Sequence, residues 1–315
     1  MAQLHENIYQ SPYDVAKNLT EAEVTAMVEQ QPMGDDRGWR VTGFAYPTDN
    51  PIVYIKYGHN RSSLRDSEAR THQFAYDSLQ RLPQQERQGV CIPEIYRIMQ
   101  AGNWTYIVME YIRGKTLAKL MEDRETFKET YQYYYDSIER ALKLLLSFPV
   151  PKDAAPGPYG GGIIQHPLFK DYRAAIQYDS VDMLEQHLNK VSTVVSKDAL
   201  TVSLERDLHF VFADLYEGNF MFTDNGDVYV IDFEQAGFLP LSFMTYAMVQ
   251  MRAVAGMLHD KLDLPQENIP AMRHICSLFV MSWTKIGMHH RPLLHGLQVP
   301  NRICQVCQCD KFYDR

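Results

Sequence analysis

Residues 209–240 read HFVFADLYEGNFMFTDNGDVYVIDFEQAGFLP, and three side chains there carry chemistry at fixed intervals: Asp214, Asn219 five residues on, and Asp232 thirteen beyond it. A carboxylate and an amide that meet at one point are hard oxygen donors. They suit Mg²⁺, which takes one or two protein oxygens and completes its shell with water and phosphates. The two intervals are those of a kinase-type phosphoryl-transfer site. Either fragment alone is a common accident, because short motifs have a high false-positive rate. Both intervals together, across a predicted hairpin, are far more specific.

The elements that must position these residues are legible around them. Runs 219–222 and 228–231 are apolar-rich and flank Asp224-Asn225-Gly226. Asn-Gly is the strongest short turn signal and predicts a type I′ hairpin, in which both central residues take positive φ. Such a turn returns Asp232 to the neighbourhood of Asn219, with Asp214 a few residues before the ribbon and close enough to touch a substrate hydroxyl.

A second constellation lies upstream. Residues 51–58, PIVYIKYG, form a predicted strand with Lys56 inside an apolar run. Such a lysine is either an edge-strand gatekeeper or the partner of a buried acid. The helix predicted over 64–82 places Glu68, Thr71, Ala75, Leu79 and Leu82 at spacings of three and four, so Glu68 sits on a mostly apolar face and needs a cation. Lys56 is the nearest candidate. Runs 92–99 and 104–109 are further strand candidates joined by the turn-rich 100–103. They lead into Met109-Glu110-Tyr111-Ile112-Arg113-Gly114, an extended segment whose backbone can meet an adenine edge and serve as a hinge.

Taken together, VYIKYG with SEAR, YIVMEYIRGKTL, and ADLYEGNF with VIDFEQAGFLP resemble the aminoglycoside phosphotransferase and choline-kinase-like family, most closely its fungal phosphotransferase-like branch. The resemblance implies an α+β, protein-kinase-like bilobal fold. A small N-lobe of antiparallel sheet plus helix would span 1–112. A larger, mainly helical C-lobe over 113–300 would carry the catalytic loop 212–219 and the metal hairpin 219–234, with a tail at 301–315. It further implies Asp214 as catalytic base, Lys56 on the α/β-phosphates with Glu68 as its anchor, and Asn219 and Asp232 as Mg²⁺ ligands. Met109, Glu110, Tyr111 and Ile112 would line the adenine site. The implied activity is Mg-ATP-dependent transfer of a γ-phosphoryl group to a hydroxyl of an aminoglycoside-, choline- or sugar-like small molecule.

Of three departures, the first and last keep an alternative open, a kinase-like pseudoenzyme acting as a nucleotide-binding or scaffold protein, while the family tolerates the second. Phe212 stands where the family usually has histidine, Glu234 follows Asp232-Phe233 where protein kinases have glycine, and no GxGxxG precedes Lys56. Protein kinase activity is disfavoured, because the chain runs through Gly237 and Pro240 into a helix with no A-P-E.

Composition narrows the classes. With 315 residues, 45% of them hydrophobic, the chain can bury a large core, and its net charge of −8 argues against a nucleic-acid partner. The start, MAQLHENIYQSPYD, lacks the pattern of a signal peptide, so a cytoplasmic protein with no membrane association is expected. Residues 241–258 form the most apolar long run, but Gln250 and Arg252 inside it favour a buried helix over a membrane span. Five cysteines suggest reduced thiols, and Cys304, Cys307 and Cys309 with His289, His290 and His295 fit an ordinary tail better than a zinc site.

The remaining organisation is mostly helical. Thr20 and Glu23 have capping-box spacing at the start of a helix over 20–31, and 129–148 is a long helix with Ile138, Ala141, Leu142 and Leu145 on one face. Its tyrosines at 131 and 133–135 are packing residues. Gly114-Lys115-Thr116 lacks the glycine that a phosphate loop needs at Met109, and 156–162, PGPYGGG, is expected to be a flexible loop near the acceptor site. Asp171, Tyr172, Asp179 and Asp182 follow it and fit a solvated surface better than a cation site.

Overall fold

The computed structural model describes residues 11–32, 42–59 and 64–281. The cysteines and histidines of 289–309, and Arg40 and Val41 ahead of the first strand, lie outside the described residues. In chain order the elements begin with α1 Pro12–Asn18, α2 Glu21–Glu29, β1 Gly43–Tyr46, β2 Val53–His59, α3 Leu64–Arg81 and the single turn α4 Gln84–Arg87. Next come β3 Val90–Cys91, β4 Ile95–Ala101, β5 Trp104–Glu110, β6 Gly114–Thr116, α5 Leu117–Leu120 and α6 Arg124–Leu146. The chain continues with α7 Val181–Ser192, β7 Leu208–Phe212, β8 Phe220–Thr223, β9 Val228–Val230 and β10 Ala236–Pro240, and ends its described part in α8 Leu241–Met248, α9 Ala253–Leu258 and α10 Ile269–Met281. The fold class is α+β.

The chain divides into two compact units. The first comprises Met1–Pro149, Tyr216–Glu234 and Arg252–Val254; the second comprises Val150–Leu215, Gln235–Met251 and Ala255–Arg315.

The first unit is built on an antiparallel sheet of order β1-β2-β5-β4. Side chains alternate across a pleated strand, so β2 serves two cores. Val53, Ile55 and Tyr57 join Tyr106 and Val108 of β5 in a cluster with Val15, Ala16, Leu19 and Val24 from the α1–α2 region. The opposite set, Tyr54 on β2 with Ile107 and Met109, packs on Ala69 of α3. Lys56 shares the parity of Tyr54 and therefore faces α3. The end of α1 is tied down by Arg97 of β4, whose Nη1 donates to the carbonyls of Ala16, Lys17 and Leu19. The capping box at Thr20 and Glu23 is present. This sheet-plus-helix build fits the small lobe of a protein-kinase-like fold.

A second sheet in the same unit has the order β3-β9-β8-β6, with β3 parallel to β9. The strand expected over 92–99 starts later, at Ile95, and Val90 and Cys91 ahead of it form a separate short strand that pairs with β9 of the hairpin. Gly114-Lys115-Thr116 is a strand on β8, not a phosphate loop. A Cβ at Gly114 would lie 2.5 Å from the Phe222 carbonyl oxygen, so glycine is what permits this close approach.

The hairpin between β8 and β9 differs from the expected turn. Gly226 N donates to Thr223 O at 3.0 Å and Thr223 N to Asp227 O at 3.1 Å, which makes a three-residue loop. Gly226 takes φ +88° and is the one residue of that loop with positive φ, so the type I′ assignment is corrected to the three-residue form. The long helix also begins earlier than position 129, because Asp123 caps it by accepting the Thr126 N–H at 3.3 Å. Tyr133 on that helix donates to Gly226 O at 2.6 Å, and the Tyr134 ring meets Phe222 edge-on at 4.7 Å, so these tyrosines hold the hairpin.

In the second unit β7 and β10 form an antiparallel ribbon, with Phe212 opposite Ala236. The glycine-rich 156–162 is not free of this ribbon. Gly157 and Phe238 exchange backbone hydrogen bonds of 3.0 and 2.7 Å, which pins the segment expected to be flexible. Asp182 is paired with Arg206 at 3.0 Å on the surface. The helix expected over 241–258 is broken at Val249. Glu217 Oε1 takes the Ala253 N–H at 2.6 Å, a donor that a continuous helix would have given to the Val249 carbonyl. Among the described residues no helix is long and apolar enough to cross a membrane.

Candidate active site

Lys56 is buried near the middle of β2, opposite Gly43 on one side and Ile107 on the other. Its ammonium donates to Glu68 Oε1 on α3 and lies 2.8 Å from Asp232 Oδ1. Glu68 is 2% exposed, so its carboxylate has lost water and depends on that cation. Thr71, Ala75 and Leu79 continue the same buried helix face. The helix spacing thus delivers the glutamate, and the strand pleat delivers the lysine.

The hairpin delivers the other two donors. Asn219 is buried at the end of a short 3₁₀ turn, one residue before β8, and its carbonyl accepts the Ile231 N–H at 3.0 Å. Asp232 follows Ile231 with φ +66°, a left-handed conformation that costs a non-glycine residue energy and that Asp tolerates better than most. Its side-chain Oδ1 receives the Glu234 N–H at 3.4 Å. Phe233 is fully buried against the His72 ring, with centroids 4.9 Å apart. His72 lies one turn after Glu68 and shares a 2.7 Å hydrogen bond with Pro93 O through Nε2; burial lowers its pKa to about 4, so the ring is neutral and Nε2–H is the donor.

Glu68, Asp232 and Glu234 can each bring a carboxylate oxygen to within 4.8 Å of the others. The Lys56 ammonium is paired with two of these, Glu68 and Asp232, and three carboxylates that approach one another so closely are the donor type that suits a hard dication. In the sequence Glu234 stands out only as a departure from glycine. Its position directly after Asp232-Phe233 was the available signal.

Lys56, Glu68, Asn219 and Asp232 line one cavity of about 330 Å³ in the first unit, together with Met109, Glu110, Tyr111 and Ile112. Tyr54, Met221 and Ile231 add apolar wall that the motifs did not indicate. Apolar walls with a few polar groups are the usual make-up of a small-molecule pocket.

Asp214 belongs to the second unit. It is partly buried two residues beyond β7, whose last residue, Phe212, is fully buried in that unit's core. The aromatic ring at 212 is a packing residue.

A strand lysine anchored by a helix glutamate, with an Asn–Asp pair at the end of a hairpin, is the equipment of a phosphotransferase. The chain belongs to the phosphotransferase enzyme family, whose model matches residues 40–243. No curated protein matches it by sequence. Solved structures similar to it include a thermostable mutant of the aminoglycoside phosphotransferase APH(4)-Ia in ternary complex with ADP and hygromycin B, at 13% identity over 72% of this chain and 76% of that one, with a TM-score of 0.43. The AMP-bound spectinomycin phosphotransferase APH(9)-Ia is similar at 12% identity over 84% of each chain, with a TM-score of 0.39. An ethanolamine kinase from Plasmodium vivax is similar at 14% identity over 73% of this chain and 60% of that one, with a TM-score of 0.36.

Proposed function

We propose that the protein transfers the γ-phosphoryl group of ATP, with Mg²⁺, to a hydroxyl of a small molecule of aminoglycoside, choline or sugar type. The observation that carries this reading is Lys56, buried and held between Glu68 and Asp232 on the wall of the 330 Å³ cavity. An ammonium fixed in that way can neutralise α/β-phosphate oxygens without reorganising as the reaction proceeds. Met109 to Ile112 would receive the adenine. Asn219 and Asp232 would hold the metal, with Glu234 beside them; the ion supplies charge neutralisation at the phosphates when bound.

Asp214 is the base in this reading, on its five-residue interval from Asn219 and on family membership. The acceptor oxygen bonds to the γ-phosphorus as the bond from that phosphorus to the β–γ bridging oxygen breaks, and the hydroxyl proton passes to the Asp214 carboxylate. ADP keeps the bridging oxygen. In a loose transition state the nucleophile needs orientation more than a strong base, so Asp214 mainly positions the hydroxyl.

Thermal unfolding with and without Mg-ATP tests binding, since a ligand at 100 times its Kd stabilises by about 2.7 kcal/mol. Asp232→Ala is expected to lose that shift. Asp214→Ala is expected to keep it and to lose ADP release in a screen of amino alcohols, aminoglycosides and sugars. Equal turnover in the wild type and both variants would refute the assignment, and absence of any shift at millimolar Mg-ATP would favour a scaffold protein.

A further inference from the structure

The first unit contains a second cavity, of about 450 Å³, walled by Tyr76 and Tyr96, by Tyr229 of β9, and by Glu94, Glu110 and Asp227. It is larger than the cavity around Lys56, and Glu110 stands on the wall of both. Among the described residues none of the three carboxylates is ion-paired. Arg87 reaches the same wall, but its guanidinium is engaged by Leu82 O at 2.9 Å and by Gln80 Oε1 and O at 2.5 and 2.7 Å. Glu110 instead accepts neutral donors, the Tyr229 hydroxyl at 3.1 Å and the Glu94 N–H at 3.3 Å. Burial, with Glu94 adding repulsion, raises the Glu110 pKa, and the Tyr96 hydroxyl is pushed up by burial and then by Glu110 and Glu94. The cavity is therefore aromatic-walled and carries three carboxylates against one guanidinium, that of Arg87, whose hydrogen bonds go to neutral carbonyl oxygens.

What would fill it follows from its shape. A metal ion requires oxygens that converge on one point, and among the described residues the only such group of three is Glu68, Asp232 and Glu234, of which Glu68 and Asp232 line the other cavity. Glu94 and Glu110 stand on the β4–β5 side, whereas Asp227 is on the hairpin. Charges spread over a cavity of this volume match a small organic molecule, and tyrosine faces favour a cation and its methylenes. We infer that this cavity binds an organic cation with ammonium groups on a short methylene chain, of the diamine or polyamine class. Glu110 makes the site adjacent to the hinge segment, so its occupancy is linked to the nucleotide cavity.

The probe is putrescine, titrated calorimetrically into the full chain at low salt, with 1,4-butanediol as the uncharged counterpart. Saturable binding of one putrescine and none of the diol is expected, weakened about tenfold or more by Glu94→Gln and by Asp227→Asn, with the Mg-ATP thermal shift retained in both. Two separate substitutions guard against one variant failing to fold. Failure of putrescine to saturate the wild type overturns the inference. Undiminished binding in both variants overturns it as well, and if Asp214→Asn then abolishes binding, the amine is an acceptor and the phosphotransferase reading stands alone. A protein with no Mg-ATP shift whose putrescine binding still falls in both variants retains the amine site and loses the phosphotransferase reading.

Discussion

Buried charge is the feature that decides most at the scale of single residues. Lys56 and Glu68 are both removed from water, and each is tolerable because the other is there. Taking one partner away leaves an uncompensated buried charge, a loss of about 3–5 kcal/mol, whereas replacing both by apolar groups of similar volume is often nearly neutral. Lys56→Met alone is therefore expected to lower stability by about 3 kcal/mol or more, with Lys56→Met/Glu68→Met recovering most of it. Urea denaturation of the wild type, both single variants and the double variant gives the cycle; turnover should be lost in all three variants. A Lys56→Met protein as stable as the wild type would mean that Glu68 does not depend on this cation. The pair was legible in the sequence because a lysine inside an apolar strand and a glutamate on an apolar helix face each break a pattern. Glu234 was not assigned, because its approach to Glu68 depends on the turn that follows Asp232, which no periodicity encodes. The apolar lining from Tyr54 and Met221 was hidden for a related reason: apolar residues on strands follow the pattern and so attract no notice.

At the scale of elements, the metal hairpin shows where local sequence signals end. Asn225-Gly226 is compatible with two turns, and the choice is made by strand ends: Thr223 and Asp227 pair, leaving three residues in the loop. Positive φ is then needed at Gly226 alone. Gly226→Ala is expected to cost about 1–2 kcal/mol, the penalty of a Cβ in the left-handed region. The added carbon would also lie 3.1 Å from the Tyr133 hydroxyl, the group that holds the loop to α6. Asn225→Ala, at an exposed position with ordinary φ, should change stability by less than about 0.5 kcal/mol. Chemical denaturation of the two variants distinguishes the turns, since a type I′ hairpin would be damaged by both. The same reasoning explains the helix predicted over 241–258. Its hydropathy is continuous, but the Glu217 carboxylate that intercepts the Ala253 N–H comes from 36 positions earlier, and no window along the run contains it.

At the scale of the whole molecule, global stability reports on groups that fold into one protonation state. His166 is completely buried in the second unit, its Nδ1 accepts the Leu168 N–H at 3.1 Å, and its Nε2 lies 3.0 Å from Phe243 O. One nitrogen accepts and the other donates, so the ring is neutral, and burial lowers its pKa to about 3. In the unfolded chain an ordinary histidine titrates near 6.5. Below that value the unfolded state binds a proton that the folded state refuses, so the contribution of His166 is fully present above about pH 6.5 and falls as the pH drops towards about 3. Each pH unit in that window removes about 1.4 kcal/mol, hence on the order of 2 kcal/mol by pH 5. Glu110 acts in the opposite sense: its raised pKa penalises the folded state above the ordinary carboxyl range, and that penalty is relieved on acidification. The absolute slope therefore mixes opposing groups, and the informative quantity is a difference. Stability measured by urea unfolding at several values between pH 7 and 4 should fall more gently with acid in His166→Gln than in the wild type, by close to one proton's worth of slope. Parallel curves would show that the imidazole at 166 takes up its proton as readily inside the folded protein as outside it.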